Sequence, residues 1–515
     1  MNLRKILIGS LLGISVIATA QKITWGKEFV DNTGAQVNTI IGYDANGFFV
    51  TRYSNSHSGA INASYPPTTI LEKYDFIGNQ LYSKELTVKD DGGKDEYLSD
   101  GLFYMKDNML LVMYAPDVKS AFAFRVNSDG SIDKNKTPIG IVENKWKKEI
   151  LASNRYSFVV SGDKNVLLAY YRKENQNKVN ISAVKEDLSV LWTKEIDVPA
   201  LSIVSAALSG DNAYFLMVSS DGKTNSFTIL QYNHTTNSIK KTEANPVEGK
   251  YTKDVDFRID NAGNVLFTGI YENIKDNGCV GCFLMKIDNN SGQVSLNKTY
   301  TFSDDILSVY QNASSLKKGK GMEGLWVKDV ISKDDKSVII ALEQSANSRM
   351  SGFQTGGSSM ASFDYDDALI MKINVDGSLA WMKHIIKRQD MSSGKSTAPF
   401  ICSFGMSILG DKMYLIFNDS KKNVQLSADD IAKNKGNVKM AYLDGGISNQ
   451  ALMLETIDMS SGELKRKPLG NPYENGKLFI YSSFSLPLQD KVIVYRSDIF
   501  KGNKDAGQFG QFIVQ

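Results

Sequence analysis

Residues Met371–Trp381 read Met-Lys-Ile-Asn-Val-Asp-Gly-Ser-Leu-Ala-Trp and combine a strand, a tight turn and a second strand. Apolar and polar residues alternate in the first part, as they do in a half-buried strand. Residues 374–377, Asn-Val-Asp-Gly, are turn formers, and Gly among them accepts the positive φ that a tight hairpin needs. The segment therefore predicts two antiparallel strands joined by a short turn.

The first strand of this pair, here called strand C, recurs at eight places along the chain. Most copies end in Asp or Asn followed by a turn that contains Gly, and a further strand, strand D, follows several of them. The eight copies are Thr69–Asp75, Ala121–Asn127, Asn180–Asp187, Ser226–Asn233, Cys282–Asp288, Ala368–Asn374, Ala451–Asp458 and Gly510–Gln515.

An apolar run rich in aromatic and β-branched residues precedes each strand C, and we call it strand B. Each run follows a tight turn, such as residues 44–47, Asp-Ala-Asn-Gly, and another short strand, strand A, lies before that turn. The eight runs are Phe48–Tyr53, Met109–Ala115, Val166–Arg172, Ala213–Ser219, Val265–Tyr271, Ser337–Glu343, Lys412–Asn418 and Lys491–Ser497. Four antiparallel strands repeated about every 50 residues are typical of propeller blades.

The two ends of the chain predict how the ring closes. The last unit stops after its strand C, at Gln515, while Ile23–Phe29 reads as a strand D without a unit of its own. Pairing of this N-terminal strand with the last blade would protect open strand edges. We therefore predict an all-β fold, a β-propeller of eight four-stranded blades closed by the N-terminal strand. Seven blades is the alternative, if the weak unit at residues 101–142 merges with a neighbour.

The pattern of strand C, Asp-x-x-Gly turn and Trp-containing strand D resembles the repeats of eight-bladed quinoprotein-like propellers and of exported bacterial propellers. The residues that carry the resemblance are Met371–Trp381 and Leu454–Leu464. The resemblance implies the fold and not an activity, because propellers serve many functions. The quinone-dependent dehydrogenases place a disulfide between adjacent cysteines near the cofactor. Two residues separate Cys279 from Cys282 here, so that activity is not carried over and no cofactor is expected.

The first twenty residues have the features of a secretory signal peptide. Arg4 and Lys5 precede an apolar stretch too short to span a bilayer, and residues 18–20, Ala-Thr-Ala, form a small-residue cleavage site. No later segment is apolar and long enough to cross a membrane. We expect residues 21–515 to form one exported domain, in the periplasm or on the periplasmic side of the outer membrane, or alternatively secreted.

The charge balance argues against a nucleic-acid partner. Cleavage removes two of the 59 Lys and Arg residues and leaves all 57 Asp and Glu, so the mature chain has no net charge. Phosphate contacts need an excess of Lys and Arg. The expected partner is a protein or a glycan of the cell envelope, and the propeller by itself is expected to be monomeric.

The long connections between strands are predicted to lie on one face, which we call the long-loop face, because B–C and D–A connections leave the same end of a blade. They cover residues 54–68, 303–325, 344–367 and 419–450. Long loops in compact domains are often functional. Exposed aromatic rings suit glycan stacking or a protein interface, although such rings can also fold back and pin their own loops. The candidate binding residues are Tyr65, Tyr310, Phe353, Phe363, Tyr365 and Tyr442.

The material for metal or histidine chemistry is sparse. Residues 364–367, Asp-Tyr-Asp-Asp, lack the alternating spacing of a calcium loop, so we interpret this acidic cluster as solvated charge and expect no metal site. Of the three histidines, His57, His234 and His384, only His57 is predicted to lie on the long-loop face. No catalytic residue is assigned.

The motif Cys279-Val280-Gly281-Cys282 predicts a disulfide, since an exported chain matures in an oxidising compartment. Zinc would need a second pair of ligands, and haem attachment would need His where Phe283 stands. The remaining Cys402 lies in an apolar run and is expected to be buried and inert.

Two functions remain open from the sequence. The first is a non-enzymatic binding or scaffold propeller that engages a protein or envelope partner through its long-loop face. The alternative is a propeller enzyme that acts on glycans or other polymers with carboxylates in the axial funnel. Two carboxyl groups with an Arg nearby in that funnel would favour the enzyme.

Overall fold

The computed structural model describes residues 23–31, 36–54, 68–89, 97–115, 120–141, 156–172, 177–349, 361–391, 401–433, 438–443, 449–469, 479–488, 490–497 and 505–513. These residues form eight sheets, each built around antiparallel strands that are neighbours in the chain. The predicted eight-bladed all-β propeller is therefore confirmed. The seven-blade alternative is wrong, because the weak unit at residues 101–142 forms a four-stranded sheet of its own.

The blades are numbered in chain order, and within each blade the strands run from A, at the axis, to D, at the rim. Blade 1 comprises Gln36–Asp44, Gly47–Ser54, Thr68–Tyr74 and Gln80–Glu85, and blade 2 comprises Leu98–Tyr104, Met109–Ala115, Ser120–Val126 and Ile132–Ile141. Blade 3 comprises Ser157–Val160, Val166–Arg172, Lys178–Lys185 and Val190–Asp197, and blade 4 comprises Ser202–Ser209, Asn212–Ser220, Asn225–Asn233 and Ser238–Ala244. Blade 5 comprises Tyr251–Ile259, Val265–Glu272, Cys279–Ile287 and Val294–Thr301. Blade 6 comprises Leu325–Ser332, Val338–Arg349, Ala361–Ile373 and Leu379–Ile385. Blade 7 comprises Gly405–Leu409, Lys412–Ser420, Gln450–Asp458 and Leu464–Pro468. Blade 8 comprises Phe479–Pro487, Lys491–Ser497 and Asp505–Ile513, with its outer strand supplied by the N-terminus.

The ring closes through the N-terminal segment, as the sequence predicts. Thr24–Trp25 and Phe29–Asp31 pair antiparallel with Asp505–Ile513, which is strand C of blade 8. Ile23 is 5% exposed and belongs to the core between blades 7 and 8. The N-terminal segment thus completes the last blade and removes its open edge.

Burial within a blade falls from strand B to strand D, which explains why strand B gives the clearest sequence signal. All seven residues of Met109–Ala115 are buried, whereas Gln80–Glu85 is almost entirely exposed. Strands B and C of neighbouring blades pack face to face and form one apolar cluster per interface. Both faces of strand B must therefore be apolar.

A repeated turn joins each blade to the one before it. Gly377, in the C–D turn of blade 6, has φ +81°, and a Cβ there would lie 2.6 Å from Leu296 on strand D of blade 5. Asp376 Oδ1 accepts hydrogen bonds from the backbone N–H and the hydroxyl of Ser378 and holds the turn. Gly462, in the C–D turn of blade 7, likewise packs against Trp381 on strand D of blade 6. The Asp-x-x-Gly pattern therefore indicates a contact between neighbouring blades as well as a hairpin.

Helices are short and occur in the connections. Within the described residues they include Asp304–Leu307, Ala313–Lys317 and Ala428–Lys433, with a 3-10 turn at Lys421–Asn423. Residues 401–402, before strand A of blade 7, are also helical. The backbone N–H of Asp430 donates to Ser427 Oγ, and this contact caps the N-terminus of the helix Ala428–Lys433. Within the described part of the chain, no helix has the length and apolar character needed to cross a membrane.

Candidate functional site

The largest elaborations of the propeller gather at the end of blade 6 that belongs to the long-loop face. Strand B of this blade runs to Arg349 and strand C begins at Ala361, so both extend beyond the blade as a hairpin. Much of the predicted loop 344–367 is therefore strand. Loop 54–68 lies almost wholly outside the described residues.

Two further strands widen this extension into a six-stranded sheet. Gln389–Met391 pairs antiparallel with residues 363–365 of strand C, and Ala441–Tyr442 pairs parallel with Gln389–Met391. We call residues 363–365, 389–391 and 441–442 the platform. Its strands come from three distant parts of the sequence, so the platform depends on long-range pairing.

The structure brings four of the six candidate aromatic residues to blade 6. Phe363 and Tyr365 lie on strand C, Tyr442 lies on the platform, and Tyr310 reaches the blade from the preceding D–A connection. Tyr442 is 61% exposed, whereas Tyr365 is buried and packs in the core below. Tyr442 is therefore available for a contact with a partner, whereas the side chain of Tyr365 anchors the platform in the core. The other two candidates, Tyr65 and Phe353, lie outside the described residues.

A pair of carboxyl groups lies beside Tyr442. Asp364 is directly opposite Asp390 in the sheet, and Asp390 is opposite Tyr442. Burial, followed by the hydrogen bond and the negative charge of Asp390, raises the pKa of Asp364 to about 6. Like charges placed directly across a sheet destabilise it. The pair therefore favours holding one proton below about pH 6.

A second cluster ties the D–A connection to blade 6. The Tyr310 hydroxyl donates to Asp367 Oδ2, and His384 Nε2 lies 2.6 Å from the same oxygen and 2.8 Å from Tyr310 Oη. Burial, followed by the charge of Asp367, raises the pKa of Tyr310, so its hydroxyl stays protonated. The prediction that only His57 lies on the long-loop face is wrong, because strand D ends at that face and carries His384 near its end.

Between these clusters lies Asp366. Its Oδ1 atom is buried and makes no hydrogen bond within the described residues. Burial, followed by the charge of Asp367, raises the pKa of Asp366 to about 6. Asp364 in the platform and Asp366 next to it are thus two carboxyl groups whose pKa is raised to about 6.

The axial funnel holds a separate set of charged residues on strands A. Arg258 of blade 5 is 46% exposed at its side chain and bridges two carboxylates. Its Nε lies 2.9 Å from Asp256 Oδ2, and its Nη1 lies 2.7 Å from Asp329 Oδ1 of blade 6. Nearby Asp254 occupies a β-bulge with φ +48°, and burial raises the pKa of its carboxyl group. This set has the composition of the enzyme alternative, two carboxylates with an Arg between them.

The cysteine pair lies on strand C of blade 5. Cys279 and Cys282 are free thiols in the structure and both are buried. Cys279 Sγ lies 3.9 Å from Glu272 Oε1, and Cys282 Sγ lies 3.3 Å from Met371 Sδ. Burial raises the pKa of Cys279 to about 12, so neither redox attack nor metal binding is favoured for that thiol. The disulfide stays a prediction for the exported protein. Cys402 is also free and buried.

Metal binding receives no support from the geometry. Across the described ranges, no three side chains of His, Cys, Asp or Glu are grouped so that they could hold a metal ion. This includes the described acids around residues 364–367.

Sequence reasoning missed the platform partners Asp390 and Arg388 as well as the cluster around His384. Gln389–Met391 has three residues and no periodicity, and its pairing with residues 441–442 spans some fifty positions. The signal that could have found them is local: the run from His384 to Asp390 carries four charged or titratable residues, His384, Lys387, Arg388 and Asp390, after an apolar strand.

Comparison with known proteins identifies no family. No family model matches the chain, and no curated protein matches it. An uncharacterised protein from Listeria monocytogenes is similar over 76% of this chain and 90% of that chain, with 12% identity and a TM-score of 0.37. The polysaccharide lyase Uly1 is similar over 81% and 90%, with 8% identity and a TM-score of 0.38. An oligogalacturonate lyase in complex with manganese is similar over 96% and 97%, with 8% identity and a TM-score of 0.38. Likeness at this level has no bearing on activity, so function is argued from the residues alone.

Proposed function

We propose that this chain is an exported, non-enzymatic binding propeller that engages a protein or glycan partner of the cell envelope through its long-loop face. The platform on blade 6 is the contact surface. The observation that carries the proposal is the six-stranded extension that presents Tyr442, 61% exposed, beside the carboxyl pair Asp364 and Asp390.

The chemistry of the platform indicates what it would bind. An exposed tyrosine ring offers a large apolar contact with a polar tip, as interface and sugar-binding residues do. The adjacent carboxyl pair gains negative charge as pH rises through about 6, the value to which the pKa of Asp364 is raised. A partner that places a cationic group against the carboxylates and a flat apolar surface against Tyr442 would satisfy both. Binding of such a partner should weaken with salt.

The experiment compares two tyrosines of similar exposure on opposite faces. Wild type, Tyr442→Ala and Tyr43→Ala are each coupled to beads and incubated with a solubilised envelope fraction. Tyr43 is 46% exposed and lies next to the A–B turn of blade 1, on the face opposite the platform. The proposal expects a ligand that wild type and Tyr43→Ala retain and Tyr442→Ala loses. Equal retention by all three proteins would refute the platform as the contact.

A second candidate function, the propeller enzyme acting on glycans, is supported by the axial set of Asp256, Arg258 and Asp329. Both carboxylates accept hydrogen bonds from one guanidinium, an arrangement that could orient a sugar acid or hydroxyl group. Release of reducing ends from a panel of bacterial and plant polysaccharides tests it. Activity that Arg258→Ala abolishes would favour the enzyme, and its absence with every polysaccharide would leave the binding function.

A further inference from the structure

The interface between blades 6 and 7 changes from apolar to ionic toward the long-loop face. Ile339 and Ala341 on strand B of blade 6 share one core cluster with Leu415 on strand B of blade 7. Alternate residues of a strand share a face. Glu343 and Asp419 therefore continue the two facing surfaces at the end nearest the platform.

The blade 6 half of this interface holds two lysines around one glutamate. Glu343 Oε1 lies 2.8 Å from Lys387 Nζ, and Oε2 lies 3.2 Å from Lys328 Nζ. Ser403, which precedes strand A of blade 7, donates to Glu343 Oε2 at 2.6 Å. Burial opposes the charge of Glu343, but the two lysines outweigh it and hold its pKa below the usual range. This half has two basic groups and one acidic group, and burial lowers the pKa of one of the bases, Lys328.

The blade 7 half has the opposite composition, two carboxyl groups around one arginine. Arg466 Nη1 lies 2.6 Å from Glu455 Oε1, and Nη2 donates to Asp419 Oδ2. The side chains of all three residues are at most 3% exposed. Burial raises the pKa of Asp419 and of Glu455. With every group ionised, three acids and three bases balance across the two facing sheets, which we call the ionic layer.

Each half of the ionic layer is bonded to one segment of the platform. Lys387 Nζ donates to Gln389 Oε1 at 2.9 Å, and Gln389 Nε2 donates to the carbonyl of Asn418 at 2.6 Å. On the other side, Asn423 Nδ2 donates to Asp419 Oδ1 and to the carbonyl of Lys439, both at 2.8 Å. Lys439 lies two residues before the platform strand that carries Tyr442.

We propose that the ionic layer between blades 6 and 7 positions the platform, with Lys387 and Asp419 fixing one platform strand each relative to the propeller. The inference rests on the proposed function, because it explains how that contact surface is held. Buried ion pairs contribute little net stability, since desolvation offsets their attraction, but removing one partner is costly and their geometry is specific. The ionic layer therefore fixes the position of the platform strands more specifically than apolar residues of the same volume would.

Hydrogen exchange of the partner-free protein tests this directly. The reporters are the backbone amides of Ala441 and Leu443, which donate to the carbonyls of Arg388 and Asp390, each at 2.8 Å. In Lys387→Met these two amides should exchange about tenfold faster or more, because a buried hydrogen bond to a charged group is lost next to them. Amides of strand B of blade 3, such as those of residues 167–170, should keep their wild-type rates.

Two further variants keep the test decisive. Gln389→Met removes the same link without leaving a buried charge alone, so it serves if Lys387→Met does not fold. Lys372→Met is the matched control, since Lys372 lies at the opposite end of the same blade interface and donates to the carbonyl of Met459 at 3.1 Å. Its reporter amides should exchange at the wild-type rate.

Two outcomes would overturn the inference: unchanged reporter rates in both Lys387→Met and Gln389→Met, or equal acceleration in the two variants and the Lys372→Met control. The readout needs no partner, so its failure is distinct from failure of the proposed function. A platform that loosens as expected, in a protein whose wild type retains no envelope ligand, would count against the function alone.

Discussion

Replacing Ile23 by Ala should destabilise the propeller although the residue lies before the first strand, Thr24–Trp25. Ile23 is 5% exposed and packs with Leu452, Ile480 and Val494 in the core between blades 7 and 8. Truncating a buried isoleucine to alanine costs about 2–5 kcal/mol, and about 3 kcal/mol suits a residue at the end of its strand. The entropy of unfolding of about 500 residues is roughly 1 kcal/mol/K, so the melting temperature should fall by about 3 °C.

Other contacts of the N-terminal strand determine how much stability its complete removal should cost. The Arg496 guanidinium lies 4.0 Å from the centre of the Trp25 ring, and Phe29 packs against Tyr74 and Phe509 at centroid distances of 5.5 and 6.1 Å. Deleting residues 21–31 removes all of these and leaves Asp505–Ile513 as an open edge. The deletion should lower the melting temperature by more than about 5 °C and promote aggregation.

The assay is thermal unfolding followed by circular dichroism and by light scattering. Ile274→Ala is the matched control, because Ile274 is 68% exposed in a B–C connection and should melt within about 1 °C of wild type. A deletion variant that melts with the wild-type protein would show that the N-terminal strand does not close the ring.

Three further predictions concern single positions. Asp364→Asn should stabilise the protein at pH 8 and change its stability little at pH 4. The pKa of Asp364 in the folded protein is raised to about 6, so the folded protein becomes less stable as pH rises through that value and the carboxyl group ionises. About 1 kcal/mol is expected after allowance for solvent screening, measured by melting at the two pH values. Trp381→Ala should cost about 3–5 kcal/mol in denaturant unfolding, because the ring is 7% exposed and its Nε1 donates to a carbonyl of blade 7; a cost below about 1 kcal/mol would contradict this packing. Thiol counting on denatured protein from the envelope should find one free thiol if Cys279 and Cys282 are linked, and three would reject the disulfide.

The propeller could be predicted from sequence because its signal is local and repeated. Strand B is buried on both faces and the Asp-x-x-Gly turn seats on the preceding blade, so each unit carries the same two patterns. The runs Met109–Ala115 and Val166–Arg172 coincide with the observed strands for this reason. The N-terminal strand could be placed because the last unit lacks its own strand D.

The candidate site was only partly predictable, because it is built from exceptions to the repeat. Strand B of blade 6 continues six residues beyond the predicted Glu343, where its partner is another extension and not the blade. The platform strands have two or three residues each and pair over long sequence distances, which no local pattern records. Buried charges such as Lys387 resemble surface residues in the sequence, since only the fold shows that Glu343 lies opposite.

Site-specific photo-crosslinking in living cells tests the central claim most directly. A benzophenone amino acid replaces Tyr442 in one strain and Tyr43 in another, and the envelope is irradiated with ultraviolet light. Binding through the platform predicts a light-dependent adduct of defined mass from position 442 and none from position 43. No adduct from position 442, or the same adduct from both positions, would contradict a platform that binds an envelope partner.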